Sequence, residues 1–279
     1  DDGRRWRLRT TRGAFEAHSI VNCAGLYGDV VDQRLTGDSA FAIRPRKGQF
    51  VVFDKAAARL LMTTILPTPT ARTKGVVLCR TIYGNLLVGP TAEDQDSRDD
   101  ASVARAALEG LRMEAIRMLP ALADIDVTAT YAGLRPATQE KGYRVRVDAE
   151  RRLITLGGVR STGLTSALGL AQHAFGLHQS FANAFPAPEP RDPPWMPNLA
   201  EHRPRAVSAP DNGGVVCHCE GVTRAALDAA FGDALAPCGY AGLKRRSRAG
   251  MGRCQGYYCA EAIAAYGAER YAAQRVGDG

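Results

Sequence analysis

Apolar positions recur along this chain in two rhythms, and the change from one to the other divides it. The runs Trp6 to Thr10 and Phe15 to Cys23 alternate around Thr11-Arg12-Gly13, which predicts a β-hairpin. The second run ends in the apolar stretch Ile20-Val21, meets the small residues of Asn22-Cys23-Ala24-Gly25, and continues into Leu26 to Leu35 with helical spacing. A basic loop, Ile43 to Gln49, leads into a buried strand at Phe50 to Phe53. Strands are predicted at Val76 to Arg80 and Leu86 to Gly89, joined by the turn Ile82-Tyr83-Gly84-Asn85. Thr91 to Asp100 is acidic and polar, which makes it a surface loop.

Ala101 to Leu119 carries the clearest helical stripe, with Ala104, Leu108, Leu111, Ala115 and Met118 on one face and Pro120 as its stop. A further hairpin, Tyr143 to Val147 with Arg152 to Leu156, runs into the glycine-rich junction Gly157 to Thr165 and then a helix from Ser166 to Phe181. Strands joined by short turns favour an antiparallel sheet over a second nucleotide-binding fold. Strand-glycine-helix junctions belong to α/β architecture, so the expected class is α/β and α+β together.

From Phe185 to Asp211 the rhythm stops, because Pro186, Pro188, Pro190, Pro193, Pro194, Pro197, Pro204 and Pro210 leave no room for regular structure. Beyond it, Thr223 is placed to cap a helix from Ala225 to Phe231, and another begins at Cys259 and runs to about Tyr266. The expected division is therefore 1–185, a linker at 186–212, and a small helical domain at 213–279.

Composition narrows the function classes. At 45% hydrophobic and 23% charged, the 279 residues are those of an ordinary globular protein. No apolar run approaches about 20 residues, so no membrane span is expected. The net charge of +7 is spread along the chain and lacks interleaved aromatics or a recognition motif, which argues for acidic ligands and against nucleic acid. Seven cysteines in an odd, clustered arrangement without a signal peptide point to a reducing compartment. The expected location is cytoplasmic, free or peripheral at the inner face of the membrane.

Four of those cysteines form two close pairs, Cys217-x-Cys219 and Cys254-x4-Cys259. A disulfide framework needs no such spacing, whereas an inorganic centre gathers thiolates from two short loops. Zinc and iron share the ligand type, and the single-residue gap of the first pair fits a two-iron cluster better than one tetrahedral ion. Lys244, Arg245, Arg246, Arg248 and Arg253 add positive charge beside an anionic centre. Cys238 lies between the pairs and reads as a core thiol, and His218 as a solvent-facing residue. Elsewhere, Arg135 stands between an apolar strand and Pro136, a stiff cationic fork suited to a carboxylate or phosphate, or to a surface ion pair.

These segments carry a resemblance. CHCEGVT at Cys217 to Thr223 and LKRRSRAGMGRCQGYYC at Leu243 to Cys259 resemble the [2Fe-2S]-binding domain related to bacterioferritin-associated ferredoxin, as found fused to flavin dehydrogenases. The resemblance implies Cys217, Cys219, Cys254 and Cys259 as cluster ligands. SIVNCAGLYGDVV at Ser19 to Val31, AGLRP at Ala132 to Pro136 and GGVRSTGLT at Gly157 to Thr165 resemble the C-terminal half of the D-amino-acid-oxidase-like FAD-dependent oxidoreductases. By that likeness Ala24, Gly25, Gly158, Ser161, Thr162, Gly163, Leu164 and Thr165 contact FAD, and the antiparallel sheet is the substrate sheet. Arg135 becomes the substrate anion clamp, with Lys47 and Arg46 as further candidates.

Within the superfamily, RPRKGQFVVFD and GNLLVGPTAED look most like glycerol-3-phosphate dehydrogenase of the anaerobic type. That implies oxidation of glycerol 3-phosphate to dihydroxyacetone phosphate, with electrons passing from flavin to the cluster and on to an acceptor protein or quinone-linked subunit. An amine, opine or 2-hydroxyacid dehydrogenase of the same superfamily, and a non-catalytic iron–sulfur electron-transfer module, are the alternatives. No catalytic base is legible. The chain opens at Asp1-Asp2-Gly3 and lacks the G-x-G-x-x-G loop of the family's first βαβ unit. It is expected to be the second half of a longer protein and inactive alone.

Overall fold

The computed structural model describes residues 5–11, 13–69, 75–160, 162–182, 206–232 and 236–276. The alternating run at the start becomes three strands: β1 (Trp6–Thr10) and β2 (Gly13–Ala17) form a two-stranded ribbon, while β3 (Ile20–Asn22) leaves it for a different sheet. The expected single second strand is thus divided at His18-Ser19. Its apolar end is drawn to the buried strand β11 (Leu153–Gly157), which pairs with β3 in parallel and with β10 (Arg144–Asp148) antiparallel.

Helix α1 (Gly28–Thr36) follows a 3-10 turn at Gly25–Tyr27 and ends at Gly37, whose φ of 86° is the left-handed C-terminal stop. Two buried carboxylates fix α1. Asp32 accepts from Thr155 Oγ1 at 2.6 Å and Arg146 Nη1 at 3.2 Å. Asp29 accepts from Arg98 Nη1 at 2.7 Å, Arg98 Nη2 at 2.9 Å and the Ile43 N–H at 2.8 Å. Helix α3 (Gly163–Gln179) lays Leu170, Ala174 and Leu177 on Ile154 and Leu156.

The second unit is an antiparallel sheet around β4 (Arg44–Phe53), flanked on one side by β9 (Val127–Ala137) and on the other by β7 (Leu86–Gly89) and β8 (Glu93–Asp94). Outward from β7 lie β6 (Val77–Arg80) and β5 (Thr64–Ile65). The basic segment expected as a loop is therefore part of β4, since its register with β9 runs unbroken from Arg44 opposite Ala137 to Val52 opposite Ala129. Alternation along β4 sends Lys47, Gln49, Val51 and Phe53 to one face and Arg46, Gly48, Phe50 and Val52 to the other.

The first face is the core. Val51 and Phe53 pack with Leu78, Leu86 and Val88 and with Leu111 and Ala115 of α2 (Arg105–Met118). That helix starts later than its apolar stripe suggests, because Asp100 Oδ1 and Gln49 Oε1 accept the N–H groups of Ser102 and Ala104 at 2.9 and 2.6 Å.

The C-terminal unit has its own core, with Leu227, Leu243 and Ile263 all inaccessible. A short hairpin, β12 (Val215–Cys217) with β13 (Val222–Thr223), precedes α4 (Arg224–Phe231), α5 (Tyr240–Ser247) and α6 (Ala260–Val276). Thr223 caps α4 as expected, accepting the Ala226 N–H at 3.2 Å. Most of the proline-rich linker, 186–205, lies outside the described residues. Among the described residues no helix is long and apolar enough to cross a membrane.

Candidate functional site

Because β3 and β11 run parallel, their carboxyl ends lie side by side, with Asn22 opposite Thr155. Ala24 and Gly25 follow the first end and Gly157 and Gly158 the second. Ligands of open parallel sheets bind at such ends. Asn22 holds the first turn, accepting the Ala24 N–H at 3.2 Å and donating to Gly28 O at 2.8 Å. In the second, Gly158 has φ +65°, and a Cβ there would lie 3.0 Å from Thr138 Cγ2. No larger residue suits that position.

Thr162 has φ 59° and precedes α3, its hydroxyl 2.8 Å from Tyr143 Oη. Gly163, Leu164 and Thr165 form the first turn of the helix, where backbone N–H groups lack intrahelical partners and favour an anion or a partial negative charge. Leu164 is 97% exposed and Leu168 87%. Ser161 lies outside the described residues. The fold thus brings Ala24 and Gly25 to one edge with the Gly158–Thr165 loop.

On the second face of β4, Arg46 is the direct cross-strand partner of Arg135. The Arg135 guanidinium crosses over Gly48, where a Cβ would come within 2.9 Å of Nη2. Its Nε donates to Arg46 O at 3.3 Å, and its Nη2 to Lys47 O at 3.2 Å and Thr91 O at 2.7 Å. Nη1 makes no hydrogen bond among the described residues. Burial pushes the Arg135 pKa below the usual arginine range, and the like charges of Arg46 and Arg160 push the same way.

Arg46 is neutralised by Asp94, through Nε to Oδ1 at 2.6 Å and Nη2 to Oδ2 at 3.1 Å. The Arg160 side chain makes no hydrogen bond or ion pair among the described residues, so Arg135 and Arg160 leave a local positive excess suited to an anion. Sequence reasoning passed over Arg160, whose position inside GGVRSTGLT was the available signal. Lys47 is not brought to Arg135. It projects to the core face, where Nζ lies 3.0 Å from Asp100 Oδ2 and donates to Ser102 O at 3.3 Å.

In the C-terminal unit the four paired cysteines converge from the β12–β13 hairpin and from the turns ahead of α6. The sulfurs meet two and two, Cys217 with Cys259 and Cys219 with Cys254. Among the described residues no three or more His, Cys, Asp or Glu side chains gather at the spacing of a single metal ion. A two-iron centre is wider than one ion and takes two thiolates at each iron, so paired sulfurs fit it and fit a mononuclear zinc site less well.

Backbone donors are arranged for thiolates. The Gly250 N–H reaches Cys217 Sγ at 3.5 Å. The Tyr258 N–H holds the Cys254 thiol below its usual range; burial opposes this, and the N–H groups of Gly256 and Tyr257 reinforce it. At Cys219 the Cys254 N–H pulls the thiol down, but burial and the neighbouring sulfurs carry it above its ordinary value. Burial, then contact with Cys217, pushes Cys259 up to about 11. Glycine makes the cradle possible, since a Cβ on Gly252 would fall 2.3 Å from Cys219 Cβ.

Two expectations change here. Cys238 is exposed rather than a core thiol. Arg248 and Arg253 are engaged in ion pairs, Arg248 with Glu220 at 2.9 Å and Arg253 with Asp54 at 3.4 Å, so they are not free charges beside the centre. His218 is exposed, as expected.

Comparison with known proteins follows the same division. Residues 1–176 match the family described as FAD dependent oxidoreductase, and residues 215–269 match the BFD-like [2Fe-2S] binding domain. The chain is 29% identical over 267 residues to a glycerol 3-phosphate dehydrogenase of Caloramator mitchellensis, covering 92% of this chain and 55% of that protein. It is 31% identical over 176 residues to a glycerol 3-phosphate oxidase of Mycoplasma pneumoniae, covering 62% and 45% respectively. The structure of dithionite-reduced L-alpha-glycerophosphate oxidase from Mycoplasma pneumoniae with FAD bound superposes with a TM-score of 0.56 at 26% identity, over 64% of this chain and 48% of that one. The chain spans about half the length of these relatives.

Proposed function

This chain belongs to the FAD dependent oxidoreductase family and carries a BFD-like [2Fe-2S] binding domain, and on that premise we propose that the protein oxidises glycerol 3-phosphate to dihydroxyacetone phosphate. The substrate gives up a hydride from C2 and the hydroxyl proton. Flavin, when bound, supplies the hydride acceptor, and the [2Fe-2S] centre a one-electron relay toward an acceptor protein or quinone-linked subunit.

The observation that carries this reading is the positive excess on the open face of the antiparallel sheet, where the Nη1 group of Arg135 and the side chain of Arg160 make no hydrogen bond among the described residues. In this proposal those two guanidinium groups hold the dianionic phosphate, and Arg46, bound to Asp94, shapes the rim. Ala24, Gly25 and the Gly158–Thr165 loop, with Ser161 and Thr162 included, would hold the flavin, and the backbone N–H groups in the first turn of α3 would favour negative charge on it. Lys47 contributes by tying the Asp100 loop to β4. Cys217, Cys219, Cys254 and Cys259 hold the iron. Residues 1–185, 186–212 and 213–279 act as oxidoreductase portion, linker and cluster domain.

The deciding experiment is anaerobic reduction of the FAD-loaded protein, in the form in which the cell makes it, by glycerol 3-phosphate, glycerol, glycine and a 2-hydroxy acid. Bleaching of the flavin band by glycerol 3-phosphate alone is expected. Bleaching by glycine or the hydroxy acid, with none by glycerol 3-phosphate, overturns the substrate.

A further inference from the structure

Glu220 follows the ligand Cys219 directly and is 1% exposed. Its Oε2 accepts from Arg248 Nε at 2.9 Å, within the cluster domain. Its Oε1 lies 2.9 Å from Nζ of Lys55, which belongs to the 3-10 turn at Lys55–Arg59 after β4 in the other unit. Among the described residues, three further contacts between the units have the same origin. Arg253, just before the ligand Cys254, reaches Asp54 at 3.4 Å and Asp126 at 3.6 Å. Arg248, two residues before the Gly250 N–H that meets Cys217, sits 3.4 Å above the centroid of the Tyr83 ring, in the turn between β6 and β7. Gly252 permits this packing, since a Cβ there would stand 3.2 Å from Glu220 Oε1.

We propose that Glu220 is a positioning residue that locks the Cys219 loop to Lys55, so that docking of the cluster domain and occupancy of its iron site are energetically coupled. The inference rests on the iron–sulfur reading. The physical reason is adjacency: each of these contacts is made by a residue within a few positions of a ligand cysteine or its backbone donor. A change in the ligand loops on loading therefore moves the contact atoms themselves, and any such coupling acts equally in both directions. The dock is at the Phe53 end of β4, and Arg46 is seven residues back along the strand, roughly 23 Å at 3.3 Å per residue. The contacts named here thus lie at the end of the sheet remote from Arg46, and each is made by a charged side chain.

The test uses the full chain and two variants outside the cluster domain, Lys55→Met and Tyr83→Leu. Both are expected to retain the iron and sulfide of the parent. Both should speed amide hydrogen exchange in the Cys219–Gly221 loop by roughly tenfold, as loss of one charge-assisted contact predicts. Lys55→Met should also lower the cluster's reduction potential, because it removes a cation beside an anionic centre. In the reciprocal arm, chelation of iron from the parent should speed exchange at residues 54–58. Unchanged exchange in both variants, or no response of residues 54–58 to iron removal, overturns the proposal. A parent that binds no iron but in which Lys55→Met still loosens the Cys219 loop overturns the coupling and the cluster reading while leaving the contact intact.

Discussion

Arg46 and Arg135 stand directly opposite each other on β4 and β9, two like charges on neighbouring strands of one sheet face. Such a pair is unfavourable by itself. It persists because Asp94 binds Arg46 at two points and three backbone carbonyls bind Arg135. An arginine held by backbone oxygens keeps its charge for something else.

From this follows the first prediction. In the FAD-loaded protein, Arg135→Lys should raise KM for glycerol 3-phosphate by roughly ten- to a hundredfold, the loss expected for a charge-assisted bond, because an ammonium cannot reproduce the planar fork. Arg160→Gln should act in the same direction, and Lys47→Met should instead lower thermal stability without a selective effect on KM. Steady-state kinetics beside melting curves separate these outcomes.

The cysteines make a second prediction. Serine at Cys217, Cys219, Cys254 or Cys259 should in each case remove the visible chromophore and most of the iron, whereas Cys238→Ser, at an exposed position, should retain both. Iron and sulfide analysis with zinc as a control reads the result. Loss of the centre in Cys238→Ser with retention in one of the other four overturns the ligand assignment.

Asp29 sets a pH dependence. Burial tends to raise its carboxyl, but the hydrogen bonds from Arg98, then those of the Ile43 and Val30 N–H groups, outweigh burial and hold it below the usual value. A carboxylate depressed in the folded state adds stability that is complete above its unfolded pKa of about 4 and drains away as pH falls through the lower folded value. Acid unfolding should therefore be shallower in Asp29→Asn over that window. At neutral pH the same variant should be less stable by about 3 kcal/mol, since Arg98 is left partly buried without its partner. Urea melts across pH 3 to 7 measure both effects.

Gly158 is the fourth test. With φ at +65° and Thr138 Cγ2 3.0 Å from any Cβ, Gly158→Ala should cost about 1–2 kcal/mol in backbone strain and displace the loop ahead of α3. Flavin retention on gel filtration should fall further than the melting temperature implies. Gly169→Ala on α3, where a Cβ meets nothing within 4 Å, is the control that should leave flavin retention unchanged and raise the melting temperature slightly, as alanine favours a helix interior.

Much of this molecule follows from local chemistry. The stripe from Leu108 to Met118 specifies α2, Thr223 starts α4, and Gly-Asn chemistry turns β6 into β7. The cysteine spacing singles out one centre, and glycine-rich junctions single out two turns. Periodicity was misleading where a partner distant in sequence decides. Phe15 to Cys23 reads as one strand apart from the polar pair His18-Ser19, yet β11, more than a hundred residues away, captures only its last three strand residues. Arg44 to Gln49 looks like a basic loop until β9 and β8 supply hydrogen-bonding edges on both sides.

By itself, then, the sequence specified most of the elements, the paired cysteines and the candidate anion ligand, because propensity, capping and ligand spacing act over a few residues. Tertiary structure decided which charges are available. Lys47 and Arg46 are adjacent in sequence, but strand alternation sends one to the core side, where it meets the exposed Asp100, and the other to Asp94 on the open face. Arg248 and Arg253 lie in the same basic run as Lys244, yet Arg248 pairs with Glu220 inside the C-terminal unit, and Arg253 pairs with Asp54 where two units of the fold meet at the end of β4. Charge pairing depends on distance in space, which sequence separation does not encode.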